Sequence, residues 1–203
     1  MATHPKTARA DREVLDIILR RWSPRAFDSR TVAREDLLRL FEAARWAPSS
    51  FNEQPWRFVV VERASAPDRF ASLAGALTGR NPQWASLAPV LVLAAVKGRL
   101  ERNDVGAVNR HAWYDTGQAV GFLTLQATSM GLSIRQMEGF NADKARAACE
   151  IPAGFEPAVI MAIGYAGDPS TLEYDKHREA ELTPRQRKRT EEFVFGGAWG
   201  QRY

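Results

Sequence analysis

The chain has 203 residues, a formal net charge of +4, and 45% hydrophobic and 26% charged residues. These values describe a single globular domain with extensions and exclude a disordered or bilayer-embedded chain. Cys149, the only cysteine, rules out an intrachain disulfide and a cysteine metal cluster.

Residues 1–10 read as a flexible basic lead-in, with no secretory apolar region before Arg20. DREVLDIILRR (11–21) has helical spacing, with Val14, Leu15, Ile18 and Leu19 on one face. Ser23-Pro24 turns the chain, and Thr31 is placed to cap a helix over VAREDLLRLFEAARWA. APSSFNEQP (47–55) is a polar loop bounded by prolines, followed by a strand at WRFVVVE. DRFASLAGAL predicts a short helix, and APVLVLAAV (88–96) a buried strand. RNDVGAVNR (102–110) matches no element and is read as mobile.

WYDTGQAVGFLTLQATSMG (113–131) predicts the central helix, and 132–137 a short strand. NADKARAACE predicts a helix capped by Asn141, and EPAVIMAIGYA another long strand. Residues 166–203 turn polar and basic. Their EEFVF has strand character but no hairpin partner, so it must pair at a distance or on another chain. The order of elements predicts an α+β layer with helices against a sheet.

Much chemistry is missing. His4, His111 and His177 lack metal-ligand spacing, so no metal is expected. There is no GxSxG elbow, and Cys149 in an alanine-rich helix reads as a structural thiol. No GxGxxG or GxxxxGK[ST] loop occurs, and the basic PRQRKR lies in no nucleic-acid motif. No apolar run is long enough to span a bilayer, so no membrane partner is expected and the cytoplasm is the expected location.

Four polar constellations remain: Arg20-Arg21-Ser23-Arg25, Ser49-Ser50-Asn52-Gln54, Glu138-Gly139, and Arg185-Arg187-Lys188-Arg189. Guanidinium groups match phosphate oxygens, and amide side chains match a heteroaromatic ring. Phosphate grips without a metal or nucleophile point to a borrowed reactive group.

The segments RRWSPRAF, APSSFNEQPWRFVVV, MEGFNADK and RQRKRTEEFVF together resemble the FMN-dependent nitroreductase family, over roughly Asp11 to Trp199. The resemblance implies a nitroreductase-like α+β fold: a central mixed or antiparallel sheet flanked by helices, in an intertwined homodimer. It implies a core over 11–165 and an extension over 166–203 that crosses to the partner and adds a strand there. FMN is the implied cofactor. Its phosphate and ribityl oxygens fall to Arg21, Trp22 and Ser23, and Arg25 lies near the phosphate or the pyrimidine edge. Ser49, Ser50 and Asn52 approach the flavin from the other subunit. Glu138 and Gly139 bring backbone amides to the ring with Met137 beside them in the same cofactor-binding segment, Asn81 meets the pyrimidine, and Arg185 and Arg187 return to the phosphate. No side chain is implied as catalytic. A hydride passes from NAD(P)H through flavin N5 to an electron-poor acceptor, a nitroaromatic or a quinone, in a ping-pong cycle. Enone reduction, dehydrogenation, oxidative cleavage or flavin storage stay open on the same fold. Gln136 departs from the family's proline before the Met-Glu-Gly segment, and 98–114 matches nothing diagnostic.

Overall fold

The computed structural model describes residues 4–101 and 106–203. Four strands, β1 (Trp56–Glu62), β2 (Val90–Lys97), β3 (Ser133–Met137) and β4 (Phe155–Gly164), form one sheet in the order β1-β2-β4-β3. Every neighbouring pair is antiparallel. Seven helices are described: α1 (Asp16–Arg20), α2 (Arg34–Arg45), α3 (Pro67–Ala74), α4 (Asn81–Ala85), α5 (Ala112–Ser129), α6 (Ala142–Ala148) and α7 (Asp175–Leu182).

Side chains alternate across a strand, and both faces of this sheet are covered. Leu91, Leu93, Ile160 and Ala162 point into one core with Phe70, Leu73, Trp84 and Ala145. Val90, Val92, Met161 and Ile163 point into the other with Leu37, Leu40, Trp56 and Leu123. Double coverage explains why β2 is apolar at nearly every position although its neighbours are antiparallel.

The elements follow the sequence closely where burial directs them. The cap at Asn141 forms as expected, its side chain accepting from the Lys144 N–H at 2.9 Å. Trp56 is core, and Cys149 is buried with its thiol pKa pushed up by desolvation. Three local expectations differ. The first helix spans only Asp16–Arg20 and buries nothing, because Val14, Leu15 and Ile18 find no core to pack on. Thr31 does not cap α2; Val32 is drawn into the core, the chain stays extended, and Ala33 is the cap residue. EEFVF is not a strand in this chain. A 3-10 turn over Thr190–Glu192 satisfies its backbone locally, with Phe193 and Val194 N–H groups donating to the Thr190 carbonyl. Phe195 makes only an isolated bridge to Arg202. The 102–110 stretch begins in residues outside those described.

Among the described residues, no helix is long and apolar enough to cross a membrane. None of their His, Cys, Asp and Glu side chains are grouped to hold a metal ion.

Candidate cofactor site

The segment 20–27 runs beside the end of β4. The Asp28 N–H donates to the Tyr165 carbonyl and the Gly167 N–H to that of Ala26, both at 2.9 Å. This close approach fixes the basic motif against the sheet. Arg135, on edge strand β3, reaches up and donates to the Ser23 carbonyl at 2.6 Å. The Arg21 guanidinium donates to Ser23 Oγ at 3.0 Å.

Around these groups lies a cavity of about 160 Å³ lined by Lys6, Arg21, Trp22, Ser23, Arg25, Arg135, Arg185 and Arg187, with Glu181 as the only carboxylate. Glu181, on α7, is 2% exposed. Its two carboxylate oxygens accept from the Arg25 backbone N–H at 3.1 Å, and one lies 3.6 Å from the Arg25 guanidinium. One buried negative charge thus stands among six cations.

The titration behaviour carries the mark of that imbalance. Burial, then the charge of Arg25, pulls Arg135 down to about 10, against the opposing pull of Glu181. Arg21 is lowered by burial and by Arg187, and Arg185 by burial, Arg21 and Arg187. Burial lowers His177 as well, followed by Arg25, Arg135 and Arg80. Burial first, and neighbouring cations second, lower these groups around an open cavity, an environment suited to an anion.

A second group of expected residues meets on α4. The Gly139 carbonyl accepts from the Thr78 N–H at 2.9 Å and from Asn81 Nδ2 at 3.1 Å. The Asn141 N–H donates to the Ala76 carbonyl at 2.7 Å, and Leu77 bridges to Phe140. Met137 is buried beneath this lacing. A Cβ on Gly139 would come within 2.9 Å of Asn81 Nδ2, so any larger residue there would displace the amide that holds the Gly139 carbonyl. Three residues along α4 from Asn81, the Trp84 ring carries the Arg135 guanidinium 5.2 Å from its centroid. One short helix therefore ties the Glu138–Gly139 segment to the cationic crescent.

The third group stands apart. In the loop before β1, Phe51, Asn52 and Gln54 hold positive φ values of 53°, 56° and 47°. That conformation is unfavourable for a phenylalanine and is held by specific bonds. The Ser50 N–H donates to the buried Asp115 carboxylate at 3.0 Å and the Gln54 N–H to Ser49 Oγ at 3.0 Å. Gln54 pins its own loop through Asn52, with its amide donating to Asn52 Oδ1 at 3.0 Å. This loop precedes β1, whereas the crescent adjoins β3 on the opposite edge, three strand spacings away or about 14 Å. It also lies at the other end of the sheet: Trp56 pairs with Val96, while Ser133 pairs with Gly164. Within one chain Ser49, Ser50 and Asn52 do not meet Arg21 or Arg187.

Lys6, Arg135 and Glu181 escaped the sequence reading. Arg135 left a trace as the lone charge in a short strand, and Glu181 as an acid just before PRQRKR. Lys6 left none.

A nitroreductase family model matches residues 18–165, and the chain belongs to that family. A crystal structure described as an oxidoreductase containing FMN superposes with a TM-score of 0.90 at 31% identity, covering 99% of this chain and all of its own. An uncharacterised 15.4 kDa protein of Mycolicibacterium smegmatis is 32% identical over 71% of this chain and 97% of its own length. The oxygen-insensitive NAD(P)H nitroreductase of Salmonella typhimurium is 24% identical over 75% of this chain and 88% of its own.

Proposed function

We propose that the chain is an FMN-dependent NAD(P)H oxidoreductase that works as a homodimer in the cytoplasm. The crescent around the 160 Å³ cavity carries this reading: six cations and one buried carboxylate need an anion, and a phosphate monoester supplies two negative charges. The donor set fits FMN at its phosphate end. Arg21, Arg25 and Arg187 bind the phosphate, with Ser23 as a neutral donor beside it. Trp22 closes the cavity wall, and Arg185 holds the backbone from which Arg21 projects. Met137 anchors the strand end, while Asn81 fixes the carbonyl of Gly139 so that the Glu138–Gly139 backbone faces the ring edge. Ser49, Ser50 and Asn52 of a second copy complete the pocket.

When bound, FMN would supply the redox chemistry, carrying reducing equivalents from NAD(P)H to an electron-poor acceptor such as a nitroaromatic or a quinone, with protons drawn from water. The chain's task is to orient the ring and offer N–H groups and cations where negative charge develops. No side-chain acid or base is required.

The test is anaerobic stopped-flow of the FMN-loaded protein with NADH and with NADPH, then with a nitroaromatic or quinone. Fast bleaching of the flavin absorbance, rapid recovery on adding acceptor, and parallel double-reciprocal lines are expected. Sluggish bleaching with both nicotinamides, or intersecting lines, overturns the reading in favour of a reaction in which the organic substrate reduces the cofactor, or of flavin storage.

A further inference from the structure

Lysine is seldom buried without a partner, yet Lys6 is only 8% exposed. Its ammonium donates to the Ala180 and Thr183 carbonyls at the C-terminal end of α7. A helix end has orphan carbonyls and a negative dipole end, so the cation is well placed there. Burial lowers its pKa, and the nearby Glu181 charge works against that shift. Lys6 thereby fixes the helix whose Glu181 holds the Arg25 backbone N–H.

A second branch leaves from the backbone of the same residue. The Lys6 carbonyl accepts from Arg185 Nε at 2.6 Å. The other Arg185 nitrogens donate to the Arg21 carbonyl at 2.5 Å and to that of Leu19. Around this point the segment is fastened twice more: the Ala8 N–H donates to the Leu19 carbonyl at 2.9 Å, and the His4 ring lies 5.1 Å from that of Trp22.

We infer that Lys6 is a positioning residue for the phosphate grip, and that residues 4–8 form a strap across the cationic crescent. The strap sets Arg25 through α7 and Glu181, and sets Arg21 through Arg185. An ammonium has three N–H groups, and two of them are given to the α7 carbonyls, so Lys6 acts mainly through its neighbours. The inference rests on the crescent being the FMN phosphate site.

The test compares FMN with riboflavin, which lacks the phosphate. Dissociation constants for both are measured by flavin fluorescence in the full chain, in Lys6→Met and in Lys6→Gln, which keeps N–H donors without the charge. Each weakening of a charge-assisted bond is read as a fold-change in the FMN-to-riboflavin preference. That preference is expected to shrink about tenfold in Lys6→Met, with riboflavin affinity held within about twofold, and Lys6→Gln lying between. In an Arg25→Met background, Lys6→Met should have a smaller effect, because coupled residues are not additive. An unchanged preference in both variants overturns the inference. So does an equal loss for both flavins, which marks a general loss of structure, and so does full additivity with Arg25→Met, which marks direct contact alone. If the unmodified chain binds FMN no better than riboflavin, the phosphate-site reading itself fails, a result separable from the others.

Discussion

Arg185 and Arg187 stand two apart and look alike, but their bonds differ. Arg185 spreads its guanidinium over three backbone carbonyls, those of Lys6, Leu19 and Arg21. Arg187 is exposed, and its side chain donates to the carbonyl of its own neighbour, Gln186, at 2.7 Å. Arg187→Ala should weaken FMN binding by about 1.5–3 kcal/mol, the range for a hydrogen bond to a charged group, and leave the cofactor-free melting temperature nearly unchanged. Arg185→Ala strands three carbonyls and should lower both the melting temperature and the affinity. Thermal denaturation without FMN, beside an FMN titration, separates the two; a large loss of cofactor-free stability in Arg187→Ala would reverse the assignment. The motif Arg21-Ser23-Arg25 is legible because its members lie within one short stretch, so any local fold keeps them close. Lys6, Arg135 and Glu181 come from three distant segments and become neighbours only once α7 and the strap dock on β3.

Legibility of elements follows burial in the same way. β2, β4 and α5 carry long apolar patterns and appear within one or two residues of where the sequence puts them. α7, DKHREAEL, has only Glu181 buried, so no apolar stripe announces it. What docks it is the set of ties from Lys6 and Arg25, which periodicity cannot reveal. The segment after β4 shows how one residue enables an element to sit. A Cβ at Gly167 would lie 2.6 Å from the Phe27 backbone carbon and 2.8 Å from the Asp28 nitrogen. Backbone cannot yield as a flexible side chain does, so Gly167→Ala must part the 26–28 and 165–167 segments. The expected penalty is that of overpacking, about 1–3 kcal/mol, or about 2–4 °C of melting temperature per kcal/mol. Because this contact holds the segment bearing Arg25, FMN affinity should fall with it. Gly79→Ala provides the contrast: the glycine has a φ of 62° but open space around it, so it should carry backbone strain without moving the basic motif. Unchanged stability in Gly167→Ala would show that the two segments do not need this approach.

The two halves of the expected flavin pocket lie on opposite edges of one sheet, and a single chain has no means of folding them together. A second copy removes the difficulty if its 49–54 loop faces the first copy's crescent. The surface needed for that is present. Along α5, Tyr114, Gly117 and Gly121 follow one exposed stripe at helical spacing, with Trp113 and Phe122 exposed beside it. Val14, Leu15, Ile18 and Leu38 are exposed as well, and Trp199 is 91% exposed near the chain end. Exposed apolar side chains of this size suit an interface, and in a dimer EEFVF, in no strand among the described residues, would have the partner's sheet edges at β1 and β3 open to it. A substitution at Gly121 decides between monomer and dimer, because a Cβ there meets nothing within 4 Å in the single chain. In a monomer, Gly121→Leu should be harmless or stabilising by about 1 kcal/mol, since glycine is the weaker helix former. In a dimer packed along that stripe, the added side chain separates the copies. Sedimentation at low micromolar concentration should find a dimer for the unmodified chain and a monomer for Gly121→Leu, with FMN lost along with the partner. A folded monomer that holds FMN would leave the 49–54 loop without a role in the pocket, and a variant that stays dimeric with full affinity would place the interface elsewhere than this stripe.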